Sequence, residues 1–239
     1  MRFWIEANER LTRDPQERVA MLRIRIASID YHMDLLKNGG LRYVYKSVDG
    51  INTFMAAESE SFTDLDRQIK KDPLFGYASF KTLPLIPVDH LVNEIQEYLD
   101  EEIMTKEEIE NIAEPDHPPI RQPGEKLFLA TKVVPPFSSL LEEGVQRDIA
   151  RRTILAQQYH WGVLELHDEN PVGQSVGLLV AKARQIEDIR KHVADCEVYP
   201  DTEVSILELH SLEESREQAR EQLRSLWRDP DAKAKFRGL

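Results

Sequence analysis

The stretch that decides the fold is Leu41-Arg42-Tyr43-Val44-Tyr45-Lys46-Ser47-Val48-Asp49-Gly50-Ile51-Asn52-Thr53-Phe54-Met55-Ala56. Two runs rich in β-branched and aromatic residues, Leu41 to Lys46 and Ile51 to Ala56, flank Ser47-Val48-Asp49-Gly50, and an Asp-Gly pair suits the positive φ of a tight hairpin turn. Working outward, Glu17 to Lys37 carries apolar residues at Val19, Leu22, Ile26, Ile29, Met33 and Leu36, spacings of three and four that predict a helix ended by Gly39-Gly40. Before it, Phe3 to Ala7 reads as a strand, set off by a polar stretch that contains Pro15. After the hairpin, Ser61 to Lys71 returns to helical spacing with Ser61 or Thr63 as cap, and Pro73 stops it. Tyr77 to Leu85 is extended and His90 to Leu99 is an appended amphipathic helix. The order is strand, helix, hairpin, helix, strand.

Residues 100–125 are acid-rich and then proline-rich, with Pro115, Pro118, Pro119 and Pro123, and read as a linker. The pattern then restarts. Lys126 to Lys132 is a strand, Ser138 to Gln158 a helix, Gly162 to Leu166 and Ser175 to Ala181 a hairpin, Arg184 to Ala194 a helix, Val204 to Leu209 a strand and Leu212 to Trp227 a charged helix answering His90 to Leu99. This predicts an α+β protein of two tandem ferredoxin-like βαββαβ units, residues 1–99 and 126–239, the second a degenerate copy. Such a unit covers one face of its antiparallel sheet with helices, so the two uncovered faces are expected to pack together as an intramolecular dimeric α/β barrel.

Composition narrows the functional classes. The chain has 239 residues, 41% of them hydrophobic and 31% charged, ordinary for a globular protein. A net charge of −12 opposes binding to nucleic acid or anionic membranes. No apolar run approaches the ~18 residues of a membrane span, so a cytoplasmic protein is expected, and a single cysteine, Cys196, fits a reducing compartment. Cys196 has acidic neighbours that disfavour a thiolate and reads as a small apolar side chain.

Residues 39 to 90 carry a family likeness. Gly40-Leu41-Arg42-Tyr43-Val44-Tyr45-Lys46, Asn52, the run Asp72-Pro73-Leu74-Phe75-Gly76-Tyr77, and Pro87 with His90 make this half resemble muconolactone isomerases of the dimeric α/β-barrel group. Asp72 stands where that family has an apolar residue, Gly76 where it has proline, and Tyr45-Lys46 where it has a Trp-Arg pair. The resemblance implies an isomerase or lyase that moves a proton on an unsaturated lactone or a related acidic or aromatic metabolite, as a possible homo-oligomer and without a cofactor. A non-catalytic binding or assembly protein and a cofactor-independent monooxygenase are the alternatives on the same fold.

Site residues follow. Side-chain alternation puts Arg42, Val44 and Lys46 on one face and Leu41, Tyr43 and Tyr45 on the other, so Arg42 and Lys46 are a candidate carboxylate clamp, or else solubilising charges. Tyr45, Asn52, Phe75 and Tyr77 are candidate substrate contacts. His32, on the first helix, titrates near neutrality and is a candidate proton carrier. A resemblance to bacterial YciI proteins, which pair such a histidine with an aspartate near the hairpin, makes Asp49 its candidate partner. Glu6, beside Trp4, is a second candidate base whose pKa burial would raise. In the second half His160-Trp161 and His167 are similar to the haem-ligating histidines of chlorite dismutase-like proteins, which also use two such units. The seven histidines show no paired spacing for a metal.

Overall fold

The computed structural model describes residues 1–12, 14–86, 97, 105, 123–134, 163–167, 175–195 and 203–228. Its elements run β1 (Arg2–Glu9), α1 (Pro15–Lys37), β2 (Leu41–Ser47), β3 (Asn52–Glu58), α2 (Phe62–Lys71), β4 (Ala78–Ile86), β5 (Lys126–Val134), β6 (Val163–His167), β7 (Ser175–Ala183), α3 (Ile186–Asp195), β8 (Glu203–His210) and α4 (Leu212–Arg228). The segments expected to form helices over 90–99 (residue 97 apart) and 138–158, most of the linker, and Cys196 lie outside the described residues.

The chain divides into two compact units, the first formed by Met1, Phe3–Thr82 and the chain from Leu209 onward, the second by Arg2 and Leu83–Glu208. In the first unit β3 lies between β1 and β2, and β2 pairs antiparallel with the end of β8 through Lys46↔His210 and Ser47↔Leu209. The hairpin forms where the Asp-Gly pair placed it. Gly50 has a φ of 73° and its N–H donates to the Ser47 carbonyl (2.7 Å), while Asp49 Oδ1 accepts from Ile51 N (3.0 Å). A side chain at residue 50 would also meet the Arg25 guanidinium, 3.0 Å from an ideal Cβ.

Between Leu41 and Tyr43 the β2–β3 register slips, since Leu41 faces Ala57 and Tyr43 faces Ala56. This bulge inserts a residue into β2 and reverses the alternation beyond it. Leu41 and Val44 therefore both join the core beneath the helices, with Phe3, Ile5, Ala7, Met55, Ala57, Ile29 of α1, Leu65 of α2 and Leu212 of α4. Strict alternation had grouped Leu41 with the tyrosines. On the opposite face Trp4, Tyr43, Tyr45 and Phe54 are buried and form a ring cluster, Trp4 lying 6.0 Å from Phe54 in a stacked arrangement and 6.2 Å from Tyr43.

Helix α1 begins at Pro15, two residues before the expected start. Asp14 caps it by accepting from Gln16 N (2.7 Å) and Glu17 N (3.2 Å), and proline at the first helical position loses no hydrogen bond because that N–H has no intrahelical acceptor. Ser61 caps α2 by accepting from Asp64 N (3.2 Å). Helix α4, although last in sequence among the described elements, belongs to the first unit. Val19 of α1 packs against Leu223 and Leu226, Arg216 pairs with Asp30 (2.7 Å), and Gln218 Nε2 donates to the Val48 carbonyl of the hairpin (2.9 Å). An apolar stripe on α1 is thus covered by a helix from the far end of the chain.

In the second unit the strand order is β8-β5-β7-β6-β4, with β5 and β7 paired antiparallel from Lys126↔Ala183 to Val134↔Ser175. Phe128 and Ala130 pack with Ile189 of α3. Leu127 and Leu129 alternate to the other face, where Val180 lies opposite Leu129, and all three are buried. Among the described residues no helix is long and apolar enough to cross a membrane.

Candidate functional site

Two buried polar groups sit beneath α1 in the first unit. Strand β1 carries Phe3, Ile5 and Ala7 toward the helices, and the same alternation delivers Glu9 there. Beyond the bulge, Lys46 shares that side with Val44. Lys46 Nζ donates to Glu9 Oε1 (2.8 Å) and to Thr53 Oγ1 (2.8 Å), with Lys46 and Glu9 almost fully buried. Glu9 Oε2 takes Arg25 of α1, at 2.8 Å from Nε and 2.7 Å from Nη2. One carboxylate therefore serves two cations. Burial pushes the Lys46 pKa below its ordinary value, because desolvation of an ammonium outweighs the attraction of Glu9.

The second group joins α1 to the turn after α2. His32 Nε2 lies 2.7 Å from Asp72 Oδ2, each side chain 2% exposed. Asp72 Oδ1 accepts from Leu74 N (2.8 Å), and its carbonyl accepts from Phe75 N (2.8 Å), so the aspartate both ends α2 and organises the turn that follows. Burial by itself raises the Asp72 pKa, but the hydrogen bonds from His32 and the Leu74 amide outweigh it and hold the carboxyl below its ordinary value. Burial, with Asp72 adding to it, raises the phenol of Tyr31, whose hydroxyl donates to the Gln68 carbonyl (2.9 Å). A small pocket of about 20 Å³ opens beside the pair, lined by polar Tyr31, His32, Gln68 and Asp72 together with apolar residues that include Ile5, Met55 and Leu65.

The residues singled out from sequence are dispersed by this arrangement. The aspartate at His32 is Asp72, while Asp49 is held in the hairpin turn by the Ser47 hydroxyl and the Ile51 amide. Glu6 accepts from Trp4 Nε1 (3.0 Å). The Arg42 and Lys46 clamp does not form as expected. Arg42 pairs with Glu58 (2.8 Å) and Lys46 is enclosed on the helix side by Glu9 and Thr53, which leaves Nζ no room for a substrate carboxylate. Tyr45 is buried in the ring cluster and Asn52 accepts from Asn8 Nδ2 (2.8 Å). Phe75 and Tyr77 stand on the turn after Asp72 with about half of each side chain exposed.

Glu9 and Asp72 went unnoticed as partners. Glu9 shares the parity of Phe3, Ile5 and Ala7, and becomes visible once β1 is extended to residue 9. Asp72 stands where the resembled family has an apolar side chain, and a carboxylate at an apolar position needs a buried partner. Among the described residues no group of three or more His, Cys, Asp and Glu side chains is placed to hold a metal ion.

No protein-family model and no curated protein matches the sequence. Solved structures do. A mutant chlorite dismutase from Candidatus Nitrospira defluvii superposes with a TM-score of 0.54 at 11% identity over 91% of this chain and 95% of its own. A heme-binding protein from Thermus thermophilus gives 0.53 at 11% identity, covering 91% and 94%. At such identity the likeness shows the fold: a mixed α+β architecture with antiparallel sheet, of the ferredoxin-like, α/β-barrel type. It also corrects the functional expectation. The neighbours are chlorite dismutases and a heme-binding protein rather than lactone isomerases, so the isomerase or lyase reading does not stand.

Proposed function

We propose that the chain is a haem-binding protein, built as two tandem βαββαβ copies, whose second unit holds the cofactor. The observation that carries this reading is a likeness extending over nine-tenths of the chain to chlorite dismutases and to a heme-binding protein. The second unit also offers suitable chemistry. Leu127, Leu129 and Val180 are apolar side chains on the sheet face turned away from α3, the kind of lining that packs against the faces of a porphyrin. Strand β6, next to β7, ends in His167, and the sequence supplies His160 and Trp161 just before that strand. An imidazole from His160 or His167 is the proposed iron ligand. The first unit does not fit the group, because its corresponding face is occupied by aromatic rings in mutual contact and the pocket at His32 has about 20 Å³, room for roughly one water.

Bound haem would supply one-electron and oxygen-atom chemistry at iron. This chain's part is to exclude water with Leu127, Leu129 and Val180 and to offer a neutral imidazole. Titration of the full-length protein with hemin tests the reading. A saturable, one-to-one absorbance change with a shifted Soret band is expected, altered in His160→Ala or His167→Ala and unchanged in His32→Ala. Absence of saturable binding, or a spectrum indifferent to both second-half histidines, would refute it.

A further inference from the structure

The His32 and Asp72 pair leaves one polar atom unaccounted for. His32 is 2% exposed, and its Nδ1 has no hydrogen-bond partner among the described residues. A buried nitrogen without a partner is costly, so an arrangement of this kind persists where something else satisfies it.

Which partner it takes depends on which proton the ring carries. The buried groups beneath α1 are Arg25 and Lys46 against Glu9 and Asp72, the last within electrostatic range of Lys46. Two cations and two carboxylates balance with His32 neutral, whereas an imidazolium would leave a surplus positive charge in a water-poor interior. Asp72 is held in its ionised form and accepts only. The single ring proton therefore belongs on Nε2, donated to Asp72, and Nδ1 presents a lone pair. A lone pair requires a donor. Neither nearby hydroxyl serves, since that of Tyr31 donates to the Gln68 carbonyl and that of Ser28, one turn earlier on α1, is directed to Asp72.

We propose that the pocket between α1, α2 and the sheet of the first unit is a binding site for one small hydrogen-bond donor, held by Nδ1 of His32 while Asp72 fixes the Nε2–H tautomer. The pocket admits a donor of a single non-hydrogen atom, since about 20 Å³ exceeds the roughly 10–15 Å³ that one water requires and falls far short of a metabolite. Water is the occupant in the protein as isolated. A polar lining from Tyr31, Gln68 and Asp72 can supply the further contacts that hold it. The site belongs to the first unit and does not depend on haem.

Two measurements on the unmodified full-length protein test this. Long-range proton–nitrogen NMR at neutral pH should show His32 as the neutral Nε2–H tautomer, and a high-resolution crystal structure should show one ordered water within hydrogen-bond distance of Nδ1. A doubly protonated or Nδ1–H ring would overturn the proposal, as would an imidazole whose Nδ1 faces no water. In Asp72→Asn the tautomer preference should weaken, and an unchanged nitrogen spectrum would count against Asp72 as the positioning residue.

Discussion

Glu9 is bonded to Lys46 and Arg25 at once, and that sharing predicts an asymmetry between the partners. Glu9→Gln keeps the shape of the side chain and removes its charge, leaving the Lys46 ammonium and the Arg25 guanidinium without a carboxylate at Lys46 Nζ, Arg25 Nε and Arg25 Nη2, now 2.7–2.8 Å from Glu9. Stranding a buried charge costs about 3–5 kcal/mol. Lys46→Met is milder, because Glu9 stays paired with Arg25 and the new side chain is unbranched and apolar. The loss is then the donor to Glu9 Oε1, whose Oε2 keeps Arg25, together with the donor to Thr53 Oγ1, about 1–3 kcal/mol. Urea unfolding should place the Glu9→Gln midpoint about 1 M below that of Lys46→Met, given slopes of roughly 2–3 kcal/mol/M. The double variant should be more stable than Glu9→Gln alone, since it removes a cation that the single change strands. A Lys46→Met cost equal to that of Glu9→Gln, or a double-variant cost equal to the sum, would refute the shared-carboxylate account. The pH dependence has a definite sign as well. Because burial lowers the Lys46 pKa in the folded state, the unfolded chain binds more protons in the window up to the ordinary value of 10.5, so this residue makes stability rise with pH there and Lys46→Met should flatten that rise.

Two further outcomes follow from the same interior. Asp72 is held below its ordinary 3.8, so its contribution is complete above that value and is lost as pH falls through the lower folded pKa; Asp72→Asn should unfold less steeply with acid, checked by urea midpoints between about pH 5 and 2. Leu223→Asp should destabilise by about 2–4 kcal/mol by unseating α4 from Val19, while the exposed control Gln222→Asp stays within roughly 0.5 kcal/mol in thermal and urea melts.

The elements of the first half were legible because each rests on local chemistry: an Asp-Gly turn, a three-four apolar stripe, a serine cap. What strict reading of alternation missed in β2 was one inserted residue. A bulge is invisible to a two-residue period, yet it decides that Leu41 and Val44 lie together under α1. Pro15 misled in a related way, since proline separates elements in most contexts and opens a helix when a capping aspartate precedes it.

The candidate sites were harder to read for a different reason. His32 was visible, but its partner lies forty residues away on the turn that closes α2, and Asp49 attracted the pairing only through its place in the hairpin. The placement of α4 shows the same limit at larger scale. Its pattern predicts a charged helix with one apolar side, and that side fits any apolar stripe in the chain; only the pairing of Leu209 and His210, just before it, with Ser47 and Lys46 brings it to Val19. Local rules thus fix what each segment is, whereas the partners of a buried carboxylate or a free helix face depend on a closure of the chain that no window of sequence contains. A lone acid in line with an apolar strand face, as at Glu9 after Phe3, Ile5 and Ala7, or where a resembled family has an apolar residue, as at Asp72, is the one local mark such pairings leave, and it identifies that a partner exists without naming it.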